Sequence, residues 1–226
     1  MVPWKVLATV STVEGQLQLR QRGAREFLIT IDGRVLMTSS ERTSEEAVAT
    51  LACNELRKLP APRVMIGGLG MAYTLRAALD ALPRKAQVTV AELTGEVETW
   101  CRGPLAVLTA GAANDPRVRI VIDDVAHVIE TARPGSYDAI VLDLYEGPHA
   151  SHQRESDAFY GRAALARSHA ALSPGGLLAV WSEEANVAFK KRMTDAGFAT
   201  TVHRPGGSRA YAVYLGRRSD ASRKRT

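Results

Sequence analysis

Long apolar runs are missing from this 226-residue chain. Nowhere do about 18 apolar residues follow one another, so no membrane-crossing helix is expected. Cysteine is scarce: only Cys53 and Cys101 occur, neither in a C-x-x-C pair nor near a histidine at metal spacing. Neither a disulfide framework nor a metal site is expected, and two core thiols in a reducing cytoplasm are the natural reading. The opening stretch MVPWKVLATVSTVEGQ has no basic segment, apolar core or small-residue cleavage site, so no secretory leader is expected. An excess of charge over the body of the chain is also missing. The net charge of +5 comes from the last ten residues, RRSDASRKRT, with five basic side chains and one acidic, whereas the remainder carries 24 basic and 23 acidic residues. This argues against nucleic acid as the principal partner and marks 217–226 as a basic, disordered tail.

What is present is a 46% share of hydrophobic residues arranged in short runs, enough for one domain of ordinary size. From Arg63 onward, apolar runs at Arg63–Ile66, Gln87–Glu92, Val118–Ile122, Ala139–Asp143, Leu177–Trp181, Ala199–His203 and Tyr211–Leu215 read as strands. Helical patterns lie between them, near 71–82, 95–110, 125–133, 157–172 and 186–196. Strands such as AIVLD and LLAVW are apolar on both faces, as in a parallel sheet covered on each side by helices. The alternation predicts a doubly wound α/β domain. SPGG at 173–176 is expected to stop a helix and lead into the next strand. Residues 1–43 read as a small antiparallel β segment, with Asp32-Gly33 as its hairpin turn and a helix near 44–59 leading into the main domain, 44–216.

The stretch RVMIGGLGMAYTLRAALD carries the strongest chemical signal. Gly67, Gly68 and Gly70 follow a strand and open a helix, a setting in which glycine lets the backbone turn and approach a ligand while the helix start offers free N–H groups. Glu92 ends the next strand, 22 residues after Gly70, where an acid accepts hydrogen bonds from both ribose hydroxyls. The turn reads G-G-x-G without a third glycine, which favours a nucleoside with an amino-acid-like tail over a dinucleotide. Asp123 and Asp124 end the third strand and either meet an adenine amino group or cap the following helix. Asp143 and Glu146, in IVLDLYEGPH, stand at the carboxyl end of a central strand, the edge at which open α/β sheets hold ligands. Tyr145 between them either stacks on adenine or packs. His149 and His152 suggest a polar lid, and His127 and Trp100 suggest packing.

These landmarks, in this order, resemble the spermidine synthase superfamily within the class I AdoMet-dependent transferases, over about Phe27 to Leu215. FLITIDGRVLMTSSERTSEEA is similar to the family's N-terminal hairpin and gating helix, VMIGGLGMAYTLRAAL to its first motif, and LDLYEGP to its Asp-x-x-Asp-Pro stretch. The resemblance implies a Rossmann-like class I AdoMet-methyltransferase fold, a seven-stranded mainly parallel sheet preceded by the antiparallel segment. It implies S-adenosylmethionine or its decarboxylated form as co-substrate and an amine or other nucleophilic acceptor. Glu92 would hold the ribose, Asp124 the adenine, Asp143 would act as general base, and Glu146 would bind the amine. The family's assemblies include a homodimer, which the sequence does not decide. Three departures bear on the acceptor and the donor's tail. Leu69 stands where the family's first motif has an aspartate, Val48 and Ala49 best match its Tyr-His pair, and Met37 and Thr38 lie near the place of a usual glutamine. Three functions stay open: aminopropyl transfer, methyl transfer to a small molecule or peptide, and nucleoside binding without catalysis.

Overall fold

A computed structural model describes residues 2–145, 147–148, 156–205 and 211–219. The chain opens with an antiparallel meander of β1 (Lys5–Thr12), β2 (Gly15–Arg22), β3 (Glu26–Ile31) and β4 (Arg34–Thr38). β1 was not anticipated, because KVLATVST mixes apolar and small polar residues and buries none of them fully. The Asp32-Gly33 hairpin forms as expected: both residues have positive φ, 46° and 79°, the conformation that matches strand twist in a two-residue turn. Alternation sends Leu17, Leu19, Phe27, Ile29 and Ile31 to one buried face.

α1 (Thr43–Cys53) and a short 3₁₀ turn at Asn54–Leu56 lead into the main sheet. Its strands and helices alternate as β5 (Arg63–Gly67), α2 (Tyr73–Ala81), β6 (Gln87–Glu92), α3 (Gly95–Arg102), β7 (Val118–Ile122), α4 (Val125–Glu130), β8 (Tyr137–Leu142), α5 (Arg162–Ala171), β9 (Leu172–Ser182), α6 (Val187–Asp195), β10 (Phe198–His203) and β11 (Ala212–Arg218). The seven strands lie in the order β10-β11-β9-β8-β5-β6-β7, with β5 to β9 parallel and β11 antiparallel to both neighbours. This is the expected seven-stranded, mainly parallel sheet.

Period-two alternation divides the core. Val64, Ile66, Val141 and Ala179 pack with α1, α2 and α3, and the N-terminal meander continues that same core. Met65, Ile140, Leu142 and Val180 pack with α4, α5 and α6. Cys53 and Cys101 are free and buried, and desolvation pushes both thiols up to about 12. No helix among the described residues is long and apolar enough to cross a membrane.

β9 starts at Leu172, so SPGG at 173–176 lies within the strand rather than before it, and α4 ends at Glu130. Other boundaries differ from expectation for local reasons. α2 starts at Tyr73 because Ala72 is left-handed, with φ 64°. α3 stops at Arg102 because Gly103-Pro104 follows and proline has no N–H to donate. The helix expected from 157 starts at Arg162 because the Asp157 carboxylate takes the N–H groups of Phe159 and Tyr160. β11 runs to Arg218, two residues into the expected tail, and Arg217 there pairs with Glu55 at 2.9 Å.

Candidate active site

The order of strands reverses between β5 and β8, and the crevice at their carboxyl ends is where such sheets take ligands. Here it is a cleft of about 1370 Å³, closed on one side by β4 and the first turn of α1.

The glycine turn forms one wall. Gly68 has φ 89°, and a Cβ there would stand 2.5 Å from the carbonyl oxygen of Asp143. Only glycine lets these two loops touch. Main-chain bonds seal the junction: Gly68 N–H donates to Ala91 O at 2.9 Å and Asp143 N–H to Gly67 O at 3.0 Å. Gly70, with φ 51°, gives room to the Met37 sulfur, which accepts the Met71 N–H at 3.2 Å. Gly67 serves packing rather than the cleft. It does not line the cavity, and a Cβ on it would press on Val125 Cγ1 at 2.7 Å.

Glu92 clasps this turn. Its carboxylate accepts Leu69 N–H at 3.0 Å through one oxygen and Thr94 N–H at 2.9 Å through the other. Burial raises its pKa, against the pull of those N–H groups. Each oxygen keeps a lone pair for a ligand hydroxyl. Glu92→Ala orphans both donors and is expected to cost about 1–3 kcal/mol of stability in urea unfolding. An unchanged midpoint and slope would refute the clasp.

Of the aspartate pair, only Asp124 lines the cleft. It caps α4 by accepting Ala126 N–H at 2.6 Å, so capping and ligand contact are compatible there. Asp123 turns away: its carboxylate takes the Asp124 N–H at 2.8 Å and sits 3.8 Å from His127. It is not brought to the site.

Asp143 stands at the centre, just beyond β8. The Thr74 hydroxyl donates to its carboxylate. Desolvation raises the Asp143 pKa to about 7, the hydroxyl opposing and the Glu45 charge adding to the rise. Tyr145 is half exposed and packs under the Arg34 guanidinium at 5.1 Å, so its ring faces the N-terminal sheet. Glu146, His149 and His152 lie outside the described residues.

Sequence reasoning missed several contributors. Val48 and Ala49, matched to the gating pair, are fully buried on α1. The cleft-facing residues of that segment are Glu41, Ser44 and Glu45. Tyr160 and Trp181 also line the cleft, and Tyr160 Oη and Trp181 Nε1 are buried with no hydrogen-bond partner among the described residues. Buried polar groups are rarely left so, and a ligand in the cleft can complete their bonding.

No family model matches the chain. Among solved structures it superposes on spermidine synthase from Thermotoga maritima with a TM-score of 0.75 and 19% identity, over 95% of this chain and 73% of that one. The chain has the spermidine synthase fold. A spermidine synthase in complex with the transition state analogue AdoDATO aligns with a TM-score of 0.72 and 20% identity, over the same shares of each chain. Among curated proteins, putrescine N-methyltransferase 4 of Nicotiana tabacum is 28% identical over 69% of this chain and 38% of its own length. The polyamine aminopropyltransferase of Mycobacterium tuberculosis H37Rv is 34% identical over 52% of this chain and 21% of its own. That of Thioalkalivibrio sulfidiphilus is 28% identical over 69% and 52%. The chain thus spans about a fifth to a half of the length of these relatives.

Proposed function

We propose that the chain is a transferase that uses S-adenosylmethionine, or its decarboxylated form, to alkylate an amine nitrogen. The observation that carries this is Asp143: a carboxylate with a proton affinity near neutrality, fixed by backbone bonds against the glycine turn, in a cleft that Glu92 equips for a ribose. The wall around it favours a cation. Glu41, Glu45, Asp143, Asp157 and Glu184 line the cleft, and among the described residues Arg34 is the one basic side chain that does.

The donor's carbon next to a sulfonium is already activated, so the protein's work is to align the nucleophile, exclude water and manage one proton. A bound ammonium gives a proton to Asp143. The neutral nitrogen attacks the carbon, the N–C bond forms, and the C–S pair returns to sulfur as a neutral thioether. Asp143 acts only when ionised, so kcat is expected to fall tenfold per unit of pH below about 7 and to level off above it. A flat profile between pH 5 and 8 would remove Asp143 as the base. The free thiols fit a reducing cytoplasm.

Between methyl and aminopropyl transfer, one observation favours the former. Leu69 is buried and no acid replaces it within the turn, so a lone ammonium tail finds no counter-charge there. A donor that keeps its carboxylate has a tail that balances its own ammonium and so does not need that counter-charge. The test is calorimetric titration with S-adenosylhomocysteine and methylthioadenosine side by side. Tighter binding of the first supports methyl transfer, tighter binding of the second supports aminopropyl transfer, and binding of neither ends the nucleoside reading.

A further inference from the structure

If an amine is alkylated here, Asp143 cannot serve both of the charges the reaction creates. Once it holds the proton it is neutral, and at that moment the positive charge leaves the sulfonium and appears on the nitrogen. A second anion must face that nitrogen if the developing charge is to be stabilised in a partly desolvated cleft. The sequence offers Glu146 for this place, but the described residues supply a different candidate.

Glu45 sits in the first turn of α1, lines the cleft, and lies close enough to Asp143 for its charge to act on that carboxylate. Its own carboxylate is oriented from within the helix, by the Ser44 hydroxyl at 2.5 Å. The Thr74 hydroxyl joins the two residues: it donates to the Asp143 carboxylate and lies 3.4 Å from the main-chain oxygen of Glu45. From the opposite face of the sheet comes Tyr160, 3% exposed, within the electrostatic reach of Asp143 and Asp157, its hydroxyl unpartnered among the described residues. A phenolic oxygen accepts from an N–H as readily as it donates. An acid from α1, an acid just beyond β8 and a hydroxyl ahead of α5 that is unmet among the described residues therefore line the same cleft.

We propose that Glu45 is the second carboxylate of the acceptor pocket, holding the reacting nitrogen beside Asp143 and Tyr160 Oη and facing the ammonium that forms when Asp143 is protonated. This rests on the amine-alkylation reading. No net proton or charge is added by the step: the proton goes from nitrogen to Asp143, the positive charge goes from sulfur to nitrogen, and Glu45 takes no part in the proton transfer. Glu45 thus acts on the transition state as well as on binding.

The test is titration of 1,4-diaminobutane, by calorimetry at pH 8, into protein saturated with methylthioadenosine or with S-adenosylhomocysteine. Wild type is compared with Glu45→Gln and with Glu46→Gln, a neighbour that pairs with Arg42 and does not line the cleft. Glu45→Gln is expected to weaken diamine binding at least tenfold and leave nucleoside affinity within twofold, while Glu46→Gln changes neither. A second readout needs no ligand: in ¹³C NMR of aspartate-labelled protein, the Asp143 titration midpoint is expected to fall in Glu45→Gln and stay fixed in Glu46→Gln. Equal diamine affinity in wild type and Glu45→Gln overturns the role of Glu45, as does an equal loss in Glu46→Gln. Failure of wild type to bind the diamine with nucleoside in place overturns it too, whereas failure to bind either nucleoside overturns the transferase reading itself.

Discussion

Asp143→Asn is expected to lower kcat by two to four orders of magnitude and, at pH 8, to make the protein more stable. The first effect is the usual contribution of a positioned general base, about 10²–10⁴-fold. The second follows from the raised pKa. Between the ordinary aspartate value of 3.8 and the folded value of about 7, the native state binds the proton more tightly than the unfolded chain. Stability therefore falls as pH rises through that window and is flat above it. Asparagine is neutral throughout and escapes the loss, and its amide can still bond the Thr74 hydroxyl. At a position only partly exposed, the gain at pH 8 is on the order of 2–4 kcal/mol, vanishing near pH 4. Urea unfolding at both pH values reads it, and kcat with saturating donor reads the first effect. A variant that keeps its turnover ends the catalytic role. A variant equally stable to wild type at pH 8 means that Asp143 is not held away from water as described.

The parallel sheet was legible because its central strands, as at Ile140–Leu142 and Leu177–Val180, are buried on both faces and appear as unbroken apolar runs, while the outer runs Gln87–Glu92 and Val118–Ile122, rich in β-branched residues, match residue for residue. Glu92 and Asp143 were legible for a related reason. An acid that ends an apolar strand is carried by the parallel topology to the same edge as the glycine turn. Glu45 was not, because sequence shows which face of α1 is apolar but not where its axis points. Val48, Ala49 and Ala52 bury that face, and the cleft lies off the end of the helix instead. Asp123 and Asp124 are adjacent and alike in sequence, and only the helix start after Asp124 separates a carboxylate that lines the cleft from one bent back on its own backbone. Met37 belongs to a strand of the other sheet, so its seat on the Met71 N–H is a tertiary contact with no local trace.

The turn itself makes the other large prediction: Gly68→Ala should cost about 3 kcal/mol or more in unfolding free energy and abolish both nucleoside binding and turnover. Positive φ accounts for about 1–2 kcal/mol of this in any residue with a Cβ. The rest comes from what the methyl meets. Its nearest neighbour, at 2.5 Å, is the main-chain oxygen of Asp143, which follows a central strand and cannot swing aside as a side-chain tip could. To relieve the clash the Asp143 segment must move away from the turn, and the bond from Asp143 N–H to Gly67 O at 3.0 Å is the first to break. Gly70→Ala is the fitting control, because its methyl would meet the Met37 side chain, its sulfur at 3.0 Å and its terminal carbon at 3.5 Å, the end of a flexible chain. It should cost about 1–2 kcal/mol and leave Asp143 in place. If Gly68→Ala unfolds at the wild-type urea midpoint and still binds nucleoside, the two halves of the cleft are not joined through this contact. If it fails as expected while Gly70→Ala works, the glycine that holds the donor is also the one that sets the base beside it.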